Sequence, residues 1–236
     1  MHHDRPAIVT VYAIYAPPVP SLAIAGSEAR FPVRRIFCVG RNYAAHIREM
    51  GNDEREPPFF FAKPADALVE DGATIPYPPA TRDLHQEAEL VVAIGLGGAD
   101  LSPEAALAHV WGYAPGNDLT RRDMQAEAKA AGRPWDMAKG FDNSAICGAL
   151  VPAAQIGHPA TGRIRCTVNG TLRQDADLAD MIWPVPQVIA HLSRLVTLAP
   201  GDLIYTGTPA GVGALGPGDV CMVEIDGIGA VTARIA

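Results

Sequence analysis

Glu87 and Glu89 stand two residues apart in "DLHQEAELVVAIG" (83–95), just ahead of an unbroken apolar run at 90–94. In a strand that spacing points both carboxylates to one face, about 7 Å apart. Two like charges on a half-buried strand repel each other and resist desolvation. A hard divalent cation removes both difficulties, because Mg²⁺, Mn²⁺ and Ca²⁺ all take carboxylate oxygens. On spacing alone the commoner arrangement is the acidic outer face of a solvated edge strand, so a third acidic ligand is needed to favour a metal. Asp118, in "GYAPGNDLTRRD", ends an apolar, Gly-bounded segment that would present it inward. Asp123 competes for the role, but in the first turn of a helix it reads as a cap. No Cys lies close in sequence, which makes zinc a poorer fit than Mg²⁺ or Mn²⁺.

His46 and Glu49, in "CVGRNYAAHIREMG" (38–51), are three residues apart and so neighbours on one helix face. A carboxylate beside an imidazole orients it and raises its basicity, as a general base requires. Taken alone, such a pair is more often a surface helix with an incidental contact. Arg41, Asn42 and Tyr43, just before it, bring more polar groups than a mere connector needs. Lys63, between an aromatic run and Pro64 in "PFFFAKPADAL", either snorkels to the surface or lines an anion-binding pocket. Lys139 repeats the theme beside Gly140 in "WDMAKGFDNS". "YTGTPAGVG" (205–213) is a loop of small residues and hydroxyls whose backbone N–H groups can cradle a carboxylate. It matches neither a phosphate loop nor a dinucleotide fingerprint. Cys38, Cys147, Cys166 and Cys221 are scattered without a CxxC pair and read as reduced, buried thiols.

The elements that must position these groups are short and heavily punctuated, with 23 Gly and 21 Pro. That pattern favours a β-rich α+β fold over a helical bundle. Residues 34–40 read as a strand ending at Gly40, and residues 43–51 as a short helix stopped by Gly51. "HQEAELVVAIG" reads as one strand. "SPEAALAHVWGYA" (102–114) reads as a helix with Ser102 as N-cap and Pro103 in its first turn. A second helix is expected over 121–134, closed by Gly132 and Pro134. Asn169-Gly170 between alternating residues signals a hairpin. One more helix lies within 184–202, and the chain closes with a strand, a Gly-rich loop and two strands.

The 236 residues suffice for one large domain with a short extension, and 48% hydrophobic residues provide for a core. A net charge of −7 argues against a nucleic-acid partner. No apolar run approaches the roughly 18 residues of a membrane helix. The first 20 residues lack a basic leader, and Pro17, Pro18 and Pro20 interrupt them. They read as an exposed arm or first edge strand rather than a signal peptide, which points to the cytoplasm.

Six segments, in order, resemble the fumarylacetoacetate hydrolase family and its acylpyruvate-cleaving branch: "VGRNYAAHIREMG", "PFFFAKP", "HQEAELVVAIG", "GYAPGNDLTRRDMQ", "RPWDMAKGFD" and "YTGTPAGVG". Within it, "GSEARFPVRRIFCVGRNYAAH" and "EREPPFFFAKPADAL" are similar to bacterial members that cleave fumarylpyruvate in the gentisate route of aromatic breakdown. The resemblance implies a mixed β-sheet roll with a few short helices, with residues 1–30 as an arm and 31–236 as the catalytic domain. It also implies a homodimer acting on a small diketo acid. Family metal ligands fall on Glu87, Glu89 and Asp118, for Mg²⁺ or Mn²⁺, with Ca²⁺ as a further candidate. The water-activating dyad falls on His46 and Glu49, in a segment used as a lid. Arg122, Gln125 and Lys139 match positions that hold the substrate carboxylate and the developing oxyanion, and Thr208 matches a substrate-contacting Thr. Arg41 and Lys63 match motif positions and are expected to take part in substrate binding. Asn117, where many relatives carry an apolar residue, is expected to tune the metal shell, and His85 to act as a partner behind the ligands.

The implied reaction is hydrolysis of a C–C bond in an acylpyruvate, with fumarylpyruvate giving fumarate and pyruvate. Decarboxylation of oxaloacetate, or isomerisation or decarboxylation of a 2-hydroxymuconate-type acid, on the same metal site is the alternative. A non-catalytic, metal-stabilised binding protein is the third.

Overall fold

The computed structural model describes residues 12–44 and 57–236. Among these, the hairpin β1 (Ser21–Ile24) and β2 (Ser27–Pro32) is followed by β3 (Arg35–Gly40) and β4 (Phe59–Lys63). Next come β5 (Leu68–Val69), β6 (Ala73–Ile75), β7 (Leu84–Gln86) and β8 (Ala88–Ile94). Helix α1 (Pro103–Ala106) precedes β9 (Val110–Asp118) and β10 (Thr120–Arg121). Helices α2 (Arg122–Ala130) and α3 (Asp136–Lys139) lead to β11 (Ala145–Cys147), β12 (Val151–Pro152) and α4 (Ala153–Ile156). The hairpin β13 (Arg163–Val168) and β14 (Thr171–Asp177) is followed by α5 (Val185–Leu195) and β15 (Asp202–Tyr205). Strands β16 (Gly213–Leu215), β17 (Val220–Ile225) and β18 (Gly229–Ile235) close the chain.

The largest sheet runs β4-β3-β15-β8-β9-β11-β5, with β12 added on β9. It is mixed: β15 runs parallel to β3 and β11 parallel to β5, while β8 is antiparallel to both its neighbours. A second sheet, β14-β13-β17-β18-β6, packs against β8 and β9. A third, β10-β7-β16, lies beside the start of β8. The chain is the β-rich, mixed-sheet α+β roll expected from the sequence.

Every residue of β8 is buried, which accounts for its unbroken apolar run. Leu90, Val92 and Ile94 join Ile164, Cys166, Val223 and Val231 of the second sheet in one cluster. Val91 and Ala93, on the opposite face, pack with Ile36, Cys38, Leu203 and Tyr205 in another. Burying such a side chain contributes about 1.5–3 kcal/mol, so the strand carrying Glu89 is anchored on both sides. All four thiols are free and buried, as expected.

Two local readings change. The strand foreseen across residues 85–95 is interrupted at Glu87, where the chain leaves the third sheet (β7) and enters the main one (β8). The helix foreseen over 102–114 keeps its Ser102 cap but closes after Ala106, and residues from Val110 onward form β9. Capping and Pro103 correctly mark its start. Its end is set by tertiary pairing: Gly116 lies so close to Val91 and Tyr205 that a Cβ there would meet them at 2.4 and 2.8 Å. The Asn169-Gly170 turn forms as foreseen, with φ of 51° and 76°. Residues 43–51, read as a helix, lie mostly outside the described residues.

Candidate active site

The registers Ala88↔Asn117 and Glu89↔Gly116 between β8 and β9 place Glu87 opposite Asp118, and the Asp118 N–H donates to the Glu87 carbonyl at 2.9 Å. Side chains alternate along a strand, so Glu87, Glu89 and Asp118 emerge on one face. Their carboxylate oxygens lie within 4.8 Å of one another, and all three residues are buried. Asn117 points to the other face, where its Oδ1 accepts from the Glu87 N–H at 2.9 Å and its Nδ2 donates to Cys221 Sγ at 3.3 Å. Its effect on the cluster is therefore through the backbone of Glu87.

Three cations meet these carboxylates. Lys139, at the end of α3, places Nζ 2.7 Å from both Glu87 Oε2 and Asp118 Oδ2. Lys63, at the end of β4, lies 2.7 Å from Asp118 Oδ1 and also donates to the carbonyls of Leu119, at 3.1 Å, and Lys139. Arg122, opening α2, donates from Nη2 to Glu87 Oε1 at 2.5 Å and from Nη1 to Gln125 Oε1 at 2.6 Å. Burial opposes charge on Lys139, but Asp118 and Glu87 outweigh it and hold the ammonium above the ordinary lysine range. Burial, and then the charges of Asp118 and Glu87, push the Glu89 carboxyl well above the usual carboxylate range. Among the described residues its charge is favoured by the Lys139 ammonium and by one hydrogen bond, the Gly207 N–H donating to Oε2 at 2.8 Å. Gly207 has φ +94°, and a Cβ there would meet the Asn42 Cβ at 2.7 Å, so glycine is required where this N–H is aimed.

Three all-oxygen ligands converging in a buried cluster, with one of them destabilised as an anion, form a donor set suited to a hard divalent cation. Sulfur and imidazole donors are absent from that cluster among the described residues.

Glu87 and Glu89 line a cavity of about 490 Å³, whereas Asp118 is fully buried and is not among its lining residues. Arg122 and Gln125 of α2, Arg41, Lys139 and Thr208 line the cavity as well. Thr208 Oγ1 accepts from Gln174 Nε2 at 2.8 Å. Arg41 has φ 63°, a costly conformation for a side-chain-bearing residue, and its guanidinium lies over the Phe59 ring at 5.4 Å. Of the residues singled out in the sequence, Arg41, Glu87, Glu89, Arg122, Gln125, Lys139 and Thr208 line this one cavity. Lys63 is not among its lining residues. It neither snorkels nor faces the cavity, being buried beside Asp118. His85 Nε2 pairs with Asp83 Oδ1 at 2.8 Å rather than with a ligand carboxylate. The sheet change at Glu87 separates the two faces. Burial, then the Arg122 charge, lower the His85 pKa. His46 and Glu49 lie outside the described residues.

Two supporting residues carried no role in the sequence reading. Gln174, buried on β14, donates to Thr208 and to the Pro209 carbonyl while accepting from the Ala88 N–H at 3.0 Å. It ties the 205–213 loop to the start of β8. Asn42 donates to the carbonyls of Thr206 and Trp183 at 2.7 and 3.0 Å and accepts from the Trp183 N–H at 2.7 Å. The only signal for Gln174 is a polar residue at an inward position of an alternating strand.

Residues 35–236 match the family described as fumarylacetoacetate (FAA) hydrolase, C-terminal. The chain belongs to the fumarylacetoacetate hydrolase family. Among solved structures of that family, it is similar to fumarylpyruvate hydrolase from Pseudomonas aeruginosa in complex with Mn²⁺ and pyruvate. That likeness is at 52% identity and TM-score 0.93, covering 95% of this chain and 99% of the other. Among curated relatives, the fumarylpyruvate hydrolase of Ralstonia sp is 43% identical over 76% of this chain and 93% of its own length. The mitochondrial oxaloacetate tautomerase FAHD1 of Rattus norvegicus is 42% identical over 83% of this chain and 88% of its own. Relatives in the family thus include enzymes of two reaction types at nearly equal identity. No helix among the described residues is long and apolar enough to cross a membrane.

Proposed function

We propose that this chain is a divalent-metal-dependent acylpyruvate hydrolase, acting on fumarylpyruvate to give fumarate and pyruvate. The observation that carries this reading is the buried Glu87–Glu89–Asp118 cluster opening onto a cavity walled by Arg122, Gln125, Lys139 and Thr208. Similarity to a fumarylpyruvate hydrolase that binds Mn²⁺ and pyruvate supports it.

The three carboxylates would hold Mg²⁺ or Mn²⁺, which supplies Lewis-acid activation of the 2-oxo acid end of the substrate. Arg122, joined to Gln125, orients the substrate carboxylate at that end. His46, oriented by Glu49, takes a proton from water as the oxygen attacks the distal carbonyl carbon. Lys139 and Gln125 donate to the developing oxyanion, each such donor contributing about 3–4 kcal/mol. The bond between that carbonyl carbon and the methylene then breaks. The acyl half leaves as a carboxylic acid, and the pyruvate half takes up a proton. Thr208 and Arg41 contact the substrate from elsewhere in the cavity lining. A homodimer in the cytoplasm is part of the same reading.

The test is a panel of fumarylpyruvate, acetylpyruvate and oxaloacetate, assayed for pyruvate and for enol absorbance with and without EDTA. Metal-dependent pyruvate release from fumarylpyruvate is expected. Interconversion of oxaloacetate tautomers without cleavage of any acylpyruvate would instead establish the second reading, tautomerisation, which the FAHD1 likeness favours.

A further inference from the structure

Helix α2 presents Arg122, Gln125, Ala126, Lys129 and Ala130 to the cavity. These positions, spaced by three and four residues, form one continuous helix face. The face has a chemical gradient. Its first turn is fixed to the carboxylate cluster, with Arg122 bonded to both Glu87 and Gln125. Its middle is apolar at Ala126, and the aromatic rings of Phe61 and Trp135 line the same cavity. Its last turn carries Lys129. Lys129 lies seven positions after Arg122, about 10 Å along the axis.

With a divalent ion held by the carboxylate cluster, the cavity is cationic at both ends and apolar between them, and it fits a ligand with carboxylates at both ends of an apolar chain. Resting on the hydrolase reading above, we propose that Lys129 binds a second, distal carboxylate of the substrate and so selects long 2-oxo diacids over short ones. An extended chain advances about 1.2 Å per bond. A seven-carbon diacid therefore separates its carboxyl carbons by about 7 Å, and a four-carbon diacid by about 4 Å. With one end held at Arg122 and the carboxylate cluster, only the longer chain brings its far carboxylate within reach of a lysine two helical turns away. Lys129 is thus a specificity-determining residue that distinguishes fumarylpyruvate from oxaloacetate. The two reaction types among the relatives act on substrates of those two lengths.

The experiment measures binding of 2-oxoheptanedioate, which is a seven-carbon 2-oxo diacid without the cleavable 1,3-diketone, and of pyruvate. Calorimetry is run on the Mn²⁺-loaded wild-type protein and on Lys129→Met and Lys129→Arg. The ratio of the two affinities should fall about tenfold in Lys129→Met and be largely kept in Lys129→Arg. An unchanged ratio in Lys129→Met, or an equal fall in both variants, would overturn the proposal. Position 129 is exposed, so the variants fold without rearranging a core. Wild-type protein that shows this ratio effect but cleaves no acylpyruvate would sink the hydrolase reading and leave the distal site standing.

Discussion

The Asp118 N–H donates to the Glu87 carbonyl at 2.9 Å, making the two acidic residues direct cross-strand neighbours although 31 positions separate them in sequence. Their carboxylates are set by sheet register, not by a loop, and the spacing between them is as rigid as the sheet.

Asp118→Asn leaves that register intact and removes one anionic ligand. Mn²⁺ affinity should fall by about 100-fold or more, beyond what loss of a supporting partner costs. Thermal denaturation provides the check. Mn²⁺ at 100 times the wild-type Kd should add about 2.7 kcal/mol of stability to the wild type and little to the variant.

Lys139→Met should lower kcat/KM by about 10²–10³-fold if its ammonium stabilises an oxyanion. Its stability effect should depend on metal. With EDTA present, Glu87 and Asp118 lose the cation 2.7 Å from each, a loss of about 3–5 kcal/mol for a buried pair. Added Mn²⁺ should restore much of it. Equal destabilisation with and without metal would contradict this account.

Gln174→Leu keeps volume but strands the Ala88 N–H and removes the donor to Thr208 and Pro209. Each stranded buried group costs about 1–3 kcal/mol. A melting-temperature drop of about 2–4 °C per kcal/mol is expected at this size. Substrate KM should rise as well, because the 205–213 loop loses its tie to β8.

Cys147 gives the pH prediction. Burial pushes its thiol from 9.0 up to about 12. The folded state holds this proton more tightly than the unfolded chain, so the stability it contributes is fully present below pH 9. It is lost as pH rises from 9 towards 12, at about 1.4 kcal/mol per pH unit. Melting temperature measured from pH 8 to 11 should fall across that window, and less steeply in Cys147→Ala.

The chemistry-bearing residues were more legible than the elements that carry them. Glu87, Glu89 and Asp118 stood out because carboxylates clustered beside an apolar strand repel one another unless a cation joins them, and the motif order supplied their company. The break at Glu87 was not legible, since alternation looks the same whether a strand stays in one sheet or changes sheets. The early end of α1 was hidden for a related reason. "VWGYA" is as apolar on a helical period as on an alternating one, and pairing with β8 decides between them. Gln174 stood out only as a polar residue at an inward strand position, and its role was hidden because its partners lie 34 and 86 residues away. Lys63 was legible as unusual but not as buried, because a lysine's partners are not written beside it.

Once Glu89 is ionised, Lys63, Lys139 and Arg122 match the three carboxylates charge for charge. A divalent ion added to that balanced cluster leaves two units of positive charge in excess, away from bulk water. A dianionic ligand restores neutrality, so metal and ligand should each tighten the other's binding by the same factor. The site would then behave as a cooperative pair: filling one position makes the other easier to fill, and release of the acid product loosens the grip on the ion.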